Sequence, residues 1–356
     1  MKPLNRLIVY TVARVTLVAL FSVAAADRAF SQADFYSGKT ITIIRGGGPG
    51  GSGEFQTRAL MRVVAKHIPG RPSFTLQYIE GAAGRKATNV IYSSTRADGL
   101  TIGSIGAGLV VGPILGLPGS AYDLDKLIYL GSTDSGDSYI LYTKGEMGLD
   151  TLQKLRLASG LRFGAQSVGH PVYITARLFA YFLDLKDPKF VTGYTNPEID
   201  LAIQRGELDA HSRTAARVAS GNREWIEKNL VHFHAALAVP KDAHHPSFAK
   251  LPELTSFAKS EKERRLLDVF RSFQYPRWPY LFPPGTPKER VGIIREAMRK
   301  SFADPEFSAE FKKLMGDDAS PVSGEDLDRA IRELPRDPDV IQLYNKMAGP
   351  DHLPAR

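Results

Sequence analysis

Short runs of β-branched residues alternate along the chain with stretches of helical composition, and glycine clusters stand between them. Ile41-Thr42-Ile43-Ile44 ends in Gly46-Gly47-Gly48-Pro49-Gly50-Gly51, after which 55–67 has helical composition, so the order is strand, glycine loop, helix. Phe74-Thr75-Leu76-Gln77-Tyr78-Ile79 repeats the pattern, with Gly81-Ala82-Ala83-Gly84 as its loop and 87–93 as the next helix. Asp98-Gly99 makes a turn, and Leu100-Thr101-Ile102 opens a third strand. A second block runs through Tyr139-Ile140-Leu141-Tyr142, Arg162-Phe163-Gly164, a Ser/Gly/His loop, a helix over 172–183, Phe190-Val191-Thr192-Gly193-Tyr194, a helix over 198–205 and Leu208-Asp209-Ala210. His232 to Val239 closes it as a strand stopped by Pro240, and helices follow over 288–303 and 305–314.

This alternation predicts an α/β protein with mostly parallel sheets. The later part of the chain shows few strands, so its helices must pack on sheets made earlier. The expected organisation is one unit of 34–138 plus 240–356 and a second of 139–239, with crossings near Tyr139 and Val239. Composition narrows the chemistry. The chain has no cysteine, which excludes disulfides, thiolate metal sites and cysteine nucleophiles. Lys2, Arg6 and Arg14 precede the apolar stretch 15–26, with no acid before Asp27, which reads as a secretory leader over 1–26 cut after Ala26 or after Ala33. Removing its three positive charges from the formal +8 leaves +5, a modest field that suits an anionic ligand and calls for no nucleic acid.

Three motifs compete for a function. Gly46-x-Gly48-x-x-Gly51 matches a dinucleotide fingerprint, but Pro49 lies inside it and no acid stands about 20 residues on. The glycine loops keep one physical property whatever their ligand: at a helix N-terminus they expose N–H groups and favour an anion. Ala165-Gln166-Ser167-Val168-Gly169 nearly spells a nucleophile elbow, which makes a serine hydrolase using Ser167 the rival from another class. Its plainer reading is that Ser167 caps the following helix. His232-x-His234 and His244-His245 bring no third ligand with them, so no metal and no cofactor are expected.

Taken together, the loops resemble the substrate-binding receptors of tripartite tricarboxylate transporters, the Bug or TctC-like family. Pro49-Gly50-Gly51-Ser52-Gly53-Glu54 followed by Arg58 is similar to the family's glycine run and acid, with Glu54 where Asp is usual. Gly81-Ala82-Ala83-Gly84 with Asn89 is similar to its P-G-A-G-G loop, with Glu80 and Ala83 as departures. Arg96-Ala97-Asp98-Gly99-Leu100-Thr101, Tyr194, Arg205-Gly206-Glu207-Leu208-Asp209 and Phe282-Pro283-Pro284-Gly285-Thr286-Pro287 fit later segments, so the resemblance covers nearly the whole chain after the leader.

The resemblance implies a two-lobed periplasmic-binding-protein (Venus flytrap) fold, with two mixed sheets flanked by helices and joined by hinge strands. It implies a monomeric periplasmic receptor, not an enzyme, that captures a small carboxylate and delivers it to membrane transporter subunits. An ABC-type receptor is the alternative of the same class. It places Gly50, Gly51, Ser52, Gly53, Glu54, Gly81, Ala82, Ala83 and Gly84 on one wall of the site. Ser167, Val168, Gly169 and His170 fall on the other, with Gln166, Tyr194 and Asp209 as further contacts.

Overall fold

The computed structural model describes residues 35–50, 52–106, 108–221, 223–239, 245–315 and 318–356. The expected leader, Gly51, Pro240 and His244 lie outside the described residues. β1 (Thr40–Arg45), β2 (Ser73–Tyr78), β3 (Thr101–Ser104), β4 (Ile128–Ser132), β10 (Pro279–Phe282) and β11 (Val322–Ser323) form a first sheet in the order β11-β4-β10-β3-β1-β2. β5 (Tyr139–Lys144), β6 (Arg162–Gly164), β7 (Lys189–Val191), β8 (Ala210–Thr214) and β9 (Val231–Leu237) form a second, in the order β7-β6-β8-β5-β9.

The sheets are mixed, which corrects the expectation from residue pattern of mostly parallel ones. β1 runs parallel to β2 and β3, and β6 to β7 and β8, whereas β10 and β11 in the first sheet and β5 in the second pair antiparallel. The cause is the return of the chain: β10 arrives from the opposite end and inserts between β3 and β4. It opens on Pro279 and carries a register shift between Tyr280 and Leu281, so it never shows the alternation of an ordinary strand.

β1 is covered on both faces, with Ile41, Ile43 and Ile44 all buried, as expected for an interior parallel strand. The helix Ser52–His67 turns Ala59, Leu60, Val63 and Val64 onto this sheet and packs beside the helices Lys288–Phe302 and Pro305–Met315. The C-terminal segment also serves the second sheet. In the helix Glu261–Gln274, Phe270 meets Tyr139 edge-on at 5.6 Å, and Phe273 meets Tyr344 of the helix Pro338–Ala348 at 5.0 Å. Tyr173, in the helix Pro171–Phe182, donates to the Gly349 carbonyl at 3.0 Å. These helices escaped the sequence reading because runs such as Glu261-Lys262-Glu263-Arg264-Arg265 look like a wholly solvated face, while Leu266, Leu267 and Phe270 beyond them are buried.

Among the described residues no group of three or more His, Cys, Asp or Glu side chains that could hold a metal ion comes together. His234 is buried on β9, with Nε2 2.8 Å from the Thr143 hydroxyl, and burial pushes its pKa from 6.5 down to about 4. The folded chain therefore holds it neutral while the unfolded chain protonates it below about pH 6.5. Stability should be complete above that pH and fall as pH drops toward 4, by up to about 3 kcal/mol from this group. Urea denaturation at pH 7 and pH 4.5 measures the fall, and a His234→Gln chain should lose that part of it.

Candidate functional site

The C-terminal ends of β1, β2 and β3 lie side by side, the edge at which open α/β sheets bind ligands. Strand register sets Arg45 level with Tyr78 and Ser104, and Ser104 level with Tyr280. Turns leave this edge after each strand and touch one another. A Cβ on Gly46 would come within 3.0 Å of Gly84 Cα, and one on Gly108 within 2.0 Å of the Ala83 carbonyl oxygen. Gly81, Ala82, Ala83 and Gly84 all have positive φ, at 119°, 50°, 52° and 92°. Two alanines held in a left-handed conformation are strained. The turn hands over to the helix Arg85–Ser94, whose N-terminus carries no side-chain cap.

Beneath the first turn lies a polar cluster that the sequence reading missed. Arg45, the last residue of β1, is only 3% exposed. Its Nη1 donates to Ser104 Oγ at 3.3 Å, and its guanidinium lies 5.3 Å from the centre of the Trp278 ring. Ser104 Oγ is 3.0 Å from Thr57 Oγ1, and the Tyr280 hydroxyl donates to Thr57 Oγ1 at 3.2 Å. Gly53 makes this possible, because a Cβ there would fall 2.3 Å from the Trp278 ring and 2.6 Å from both Arg45 Nη atoms. The one available signal was a charged residue ending a run of otherwise apolar, β-branched strand. Trp278 half-buries its ring against Gly53 and Gly106 from a Pro-flanked segment without periodicity.

Glu54 bonds within the first glycine turn and its helix. Its Oε2 accepts from the Gly50 N–H at 2.7 Å and its Oε1 from Arg58, so it closes the glycine turn onto the helix. Burial works to raise its pKa, but the Gly50 N–H and Arg58 outweigh it and hold the carboxyl below its usual range. Gly50 is exposed, with φ +81°. Gly51 lies outside the described residues, and Ser52 begins the helix Ser52–His67.

At the second sheet, the structure brings Gln166, Gly193 and Tyr194 together: the Gly193 N–H donates to the Gln166 carbonyl at 2.9 Å and the Tyr194 N–H to that of Ala165 at 3.3 Å. Ser167, Val168 and Gly169 form an exposed turn. The helix cap is His170 and not Ser167, since His170 Nδ1 accepts from the Val172 N–H at 3.2 Å. The elbow-like spelling thus ends in a turn capped by His170 Nδ1. Gly169 lies near the end of the C-terminal helix, where a Cβ would be 3.9 Å from the Ala348 carbonyl oxygen.

Asp209 is engaged within the second sheet. It takes a bidentate pair from Arg162, Nε to Oδ2 at 2.9 Å and Nη2 to Oδ1 at 2.7 Å, and also accepts the Arg162 N–H. Burial would raise its pKa, and the Arg162 bonds more than reverse that. It latches β6 to the start of β8. An Asp209→Asn chain should lose about 1–2 kcal/mol of stability in chemical denaturation while its ligand affinity stays within about twofold.

A groove of about 900 Å³ opens elsewhere on the first sheet, between the helices Lys288–Phe302 and Gly324–Arg332. It shares no residue with the glycine turns, and the Arg295 pairs with Asp328 and Glu325 are part of its lining.

No protein-family model matches the sequence, and no curated protein matches it. Solved structures do. A TctC solute-binding protein from Polaromonas, without ligand, superposes with a TM-score of 0.65 at 16% identity, over 88% of this chain and 98% of that one. The periplasmic binding protein BugD gives 0.53 at 16% identity, over 88% and 99%. MatC from Rhodopseudomonas palustris with bound malate gives 0.51 at 16% identity, over 87% and 99%. This chain therefore has the fold of the TctC and BugD solute-binding proteins, two mixed sheets flanked by helices.

Proposed function

We propose that this protein is a periplasmic solute-binding receptor of the TctC and Bug type, which captures a small carboxylate between two lobes and delivers it to a tripartite tricarboxylate transporter. The observation that carries the reading is the cluster of glycine turns at the C-terminal edge of the first sheet, where the buried Arg45 guanidinium lies against the first turn of the helix Ser52–His67. The fold shared with TctC and BugD supports it, and so does the malate bound by MatC. One lobe is built on the first sheet with residues 35–138. The other is built on the second sheet with 139–239. The returning segment contributes β10, β11 and the helices Lys288–Phe302, Pro305–Met315 and Gly324–Arg332 to the first lobe, and Glu261–Gln274 and Pro338–Ala348 to the second.

Closure requires contacts that differ between open and closed forms, so the ligand must touch both lobes. Gln166 to His170 and Tyr194 supply the second wall, the Ser167 turn through its backbone. The chain is exported through the leader at 1–26 and acts as a monomer. A serine hydrolase using Ser167 is disfavoured by the commitment of His170 to its cap.

A thermal-shift screen of mono-, di- and aromatic carboxylates on the leaderless chain tests the reading. A ligand at 100 times its Kd should add about 2.7 kcal/mol to the folded state. A screen in which no carboxylate shifts the transition, together with ester turnover lost in Ser167→Ala, would replace the receptor with the hydrolase.

A further inference from the structure

We propose that Arg45 is the charge anchor of the ligand and that its site takes a monocarboxylate with a flat apolar body in preference to a di- or tricarboxylate. The inference rests on the receptor reading above and names the ligand class of that site.

Among the described residues Arg45 is a buried cation without a paired carboxylate: only Nη1 has a protein acceptor there, Ser104 Oγ, while Nε is buried with no partner. Glu54, the acid next to it in charge terms, spends its oxygens on the Gly50 N–H and Arg58. Leaving one buried charge uncompensated is strongly unfavourable. The position makes matters worse, since the guanidinium sits against Gly53 in the first turn of a 16-residue helix, the positive end of its dipole. Burial accordingly lowers the Arg45 pKa. The Gly47 and Gly48 N–H groups have no acceptor among the described residues. A carboxylate entering beneath the turn answers all of these at once: it pairs with the guanidinium fork, sits on the helix end and accepts from the turn.

Two neighbours then select the rest of the ligand. Trp278 stacks on the guanidinium and leaves part of its ring open, an apolar wall for a flat body. Glu80 is exposed and packs against the turn, so close that a Cβ on Gly48 would lie 2.6 Å from its Oε1, and no cation pairs with it among the described residues. A second carboxylate on the ligand meets that like charge at the rim.

The test titrates the leaderless chain with benzoate and with succinate by calorimetry at pH 7.5. Benzoate should bind at least about tenfold tighter than succinate. Arg45→Gln should weaken benzoate by about 10- to 100-fold, with Arg45→Lys recovering part of the loss. Glu80→Gln should raise succinate affinity relative to benzoate by about five- to tenfold. Circular dichroism checks the fold of each variant. Should Arg45→Gln fail to fold, the exposed Glu80→Gln change and the benzoate-to-succinate ratio decide the matter. Succinate binding tighter than benzoate in the unmodified chain, an unaltered ratio in Glu80→Gln, or unchanged benzoate affinity in a folded Arg45→Gln overturns the inference and leaves the receptor reading standing. An unmodified chain that binds no carboxylate at all removes both.

Discussion

A Gly53→Val chain should fold and yet bind its ligand at least about 100-fold more weakly than the unmodified protein. A Cβ at this position lies 2.3 Å from the Trp278 ring and 2.6 Å from both terminal nitrogens of Arg45, distances that real Cβ atoms do not adopt, so one of those side chains must move. Both belong to the cluster beneath the first glycine turn, and displacing a charged donor from its acceptor by an ångström forfeits most of a bond of about 1.5–3 kcal/mol. The rest of the loss comes from the two branched methyls, which crowd the same two side chains. The fold should survive, because overpacking at one position costs about 1–3 kcal/mol. Calorimetry with the ligand found in the screen measures the loss. Gly50→Ala is the control: its φ of +81° strains an alanine, but nothing lies within 4 Å of its Cβ, so affinity should fall far less. Gly84→Val differs from both. Its Cβ meets Ile105 at 3.0 Å and the Gly46 carbonyl at 3.3 Å, so it would part the two turns from each other before touching a ligand.

The largest loss of stability should follow Arg177→Met. Arg177 is 2% exposed in the helix Pro171–Phe182, and its Nη2 donates to the carbonyls of Lys346 at 3.1 Å and Asp351 at 2.7 Å. The guanidinium also stands 5.1 Å from the Phe190 ring centre and 5.4 Å from that of Tyr173. It straps the end of the chain to the second lobe. Methionine keeps much of the volume but leaves both carbonyls without a donor, at a cost of about 2–4 kcal/mol. In a protein of this size that lowers Tm by about 3–6 °C. The freed segment after Ala348 should also become sensitive to protease under native conditions. An unchanged Tm would mean that the strap contributes nothing.

Much of this architecture is written locally. Ile41 to Ile44 with its glycine turn, Phe74 to Tyr78, and the helices over 55–67, 172–183 and 288–303 each carry their own signal of β-branching, turn chemistry or helical composition, and all are present. What was not legible depends on distant partners. β10 is four residues beginning with proline, and it is a strand only because β3 and β4 leave a gap for it. The site divides along the same line. The glycine turns announce themselves, because only glycine tolerates such approaches as Gly46 to Gly84. Glu54 and Asp209 look like ligand contacts in sequence because an acid near a glycine loop is chemically suggestive, and only the fold reveals that Arg58 and Arg162 already hold them. Arg45 and Trp278 are 233 positions apart, and nothing short of the folded sheet puts a guanidinium over that ring.

Calorimetric titration of the leaderless chain with the strongest carboxylate from the screen tests the central claim most directly. The expected result is one ligand per chain with a Kd in the micromolar range or tighter, about −8 kcal/mol or more, and a negative heat-capacity change from apolar surface buried as the lobes close. Heats no different from dilution for every carboxylate, from a chain shown to be folded, would contradict it.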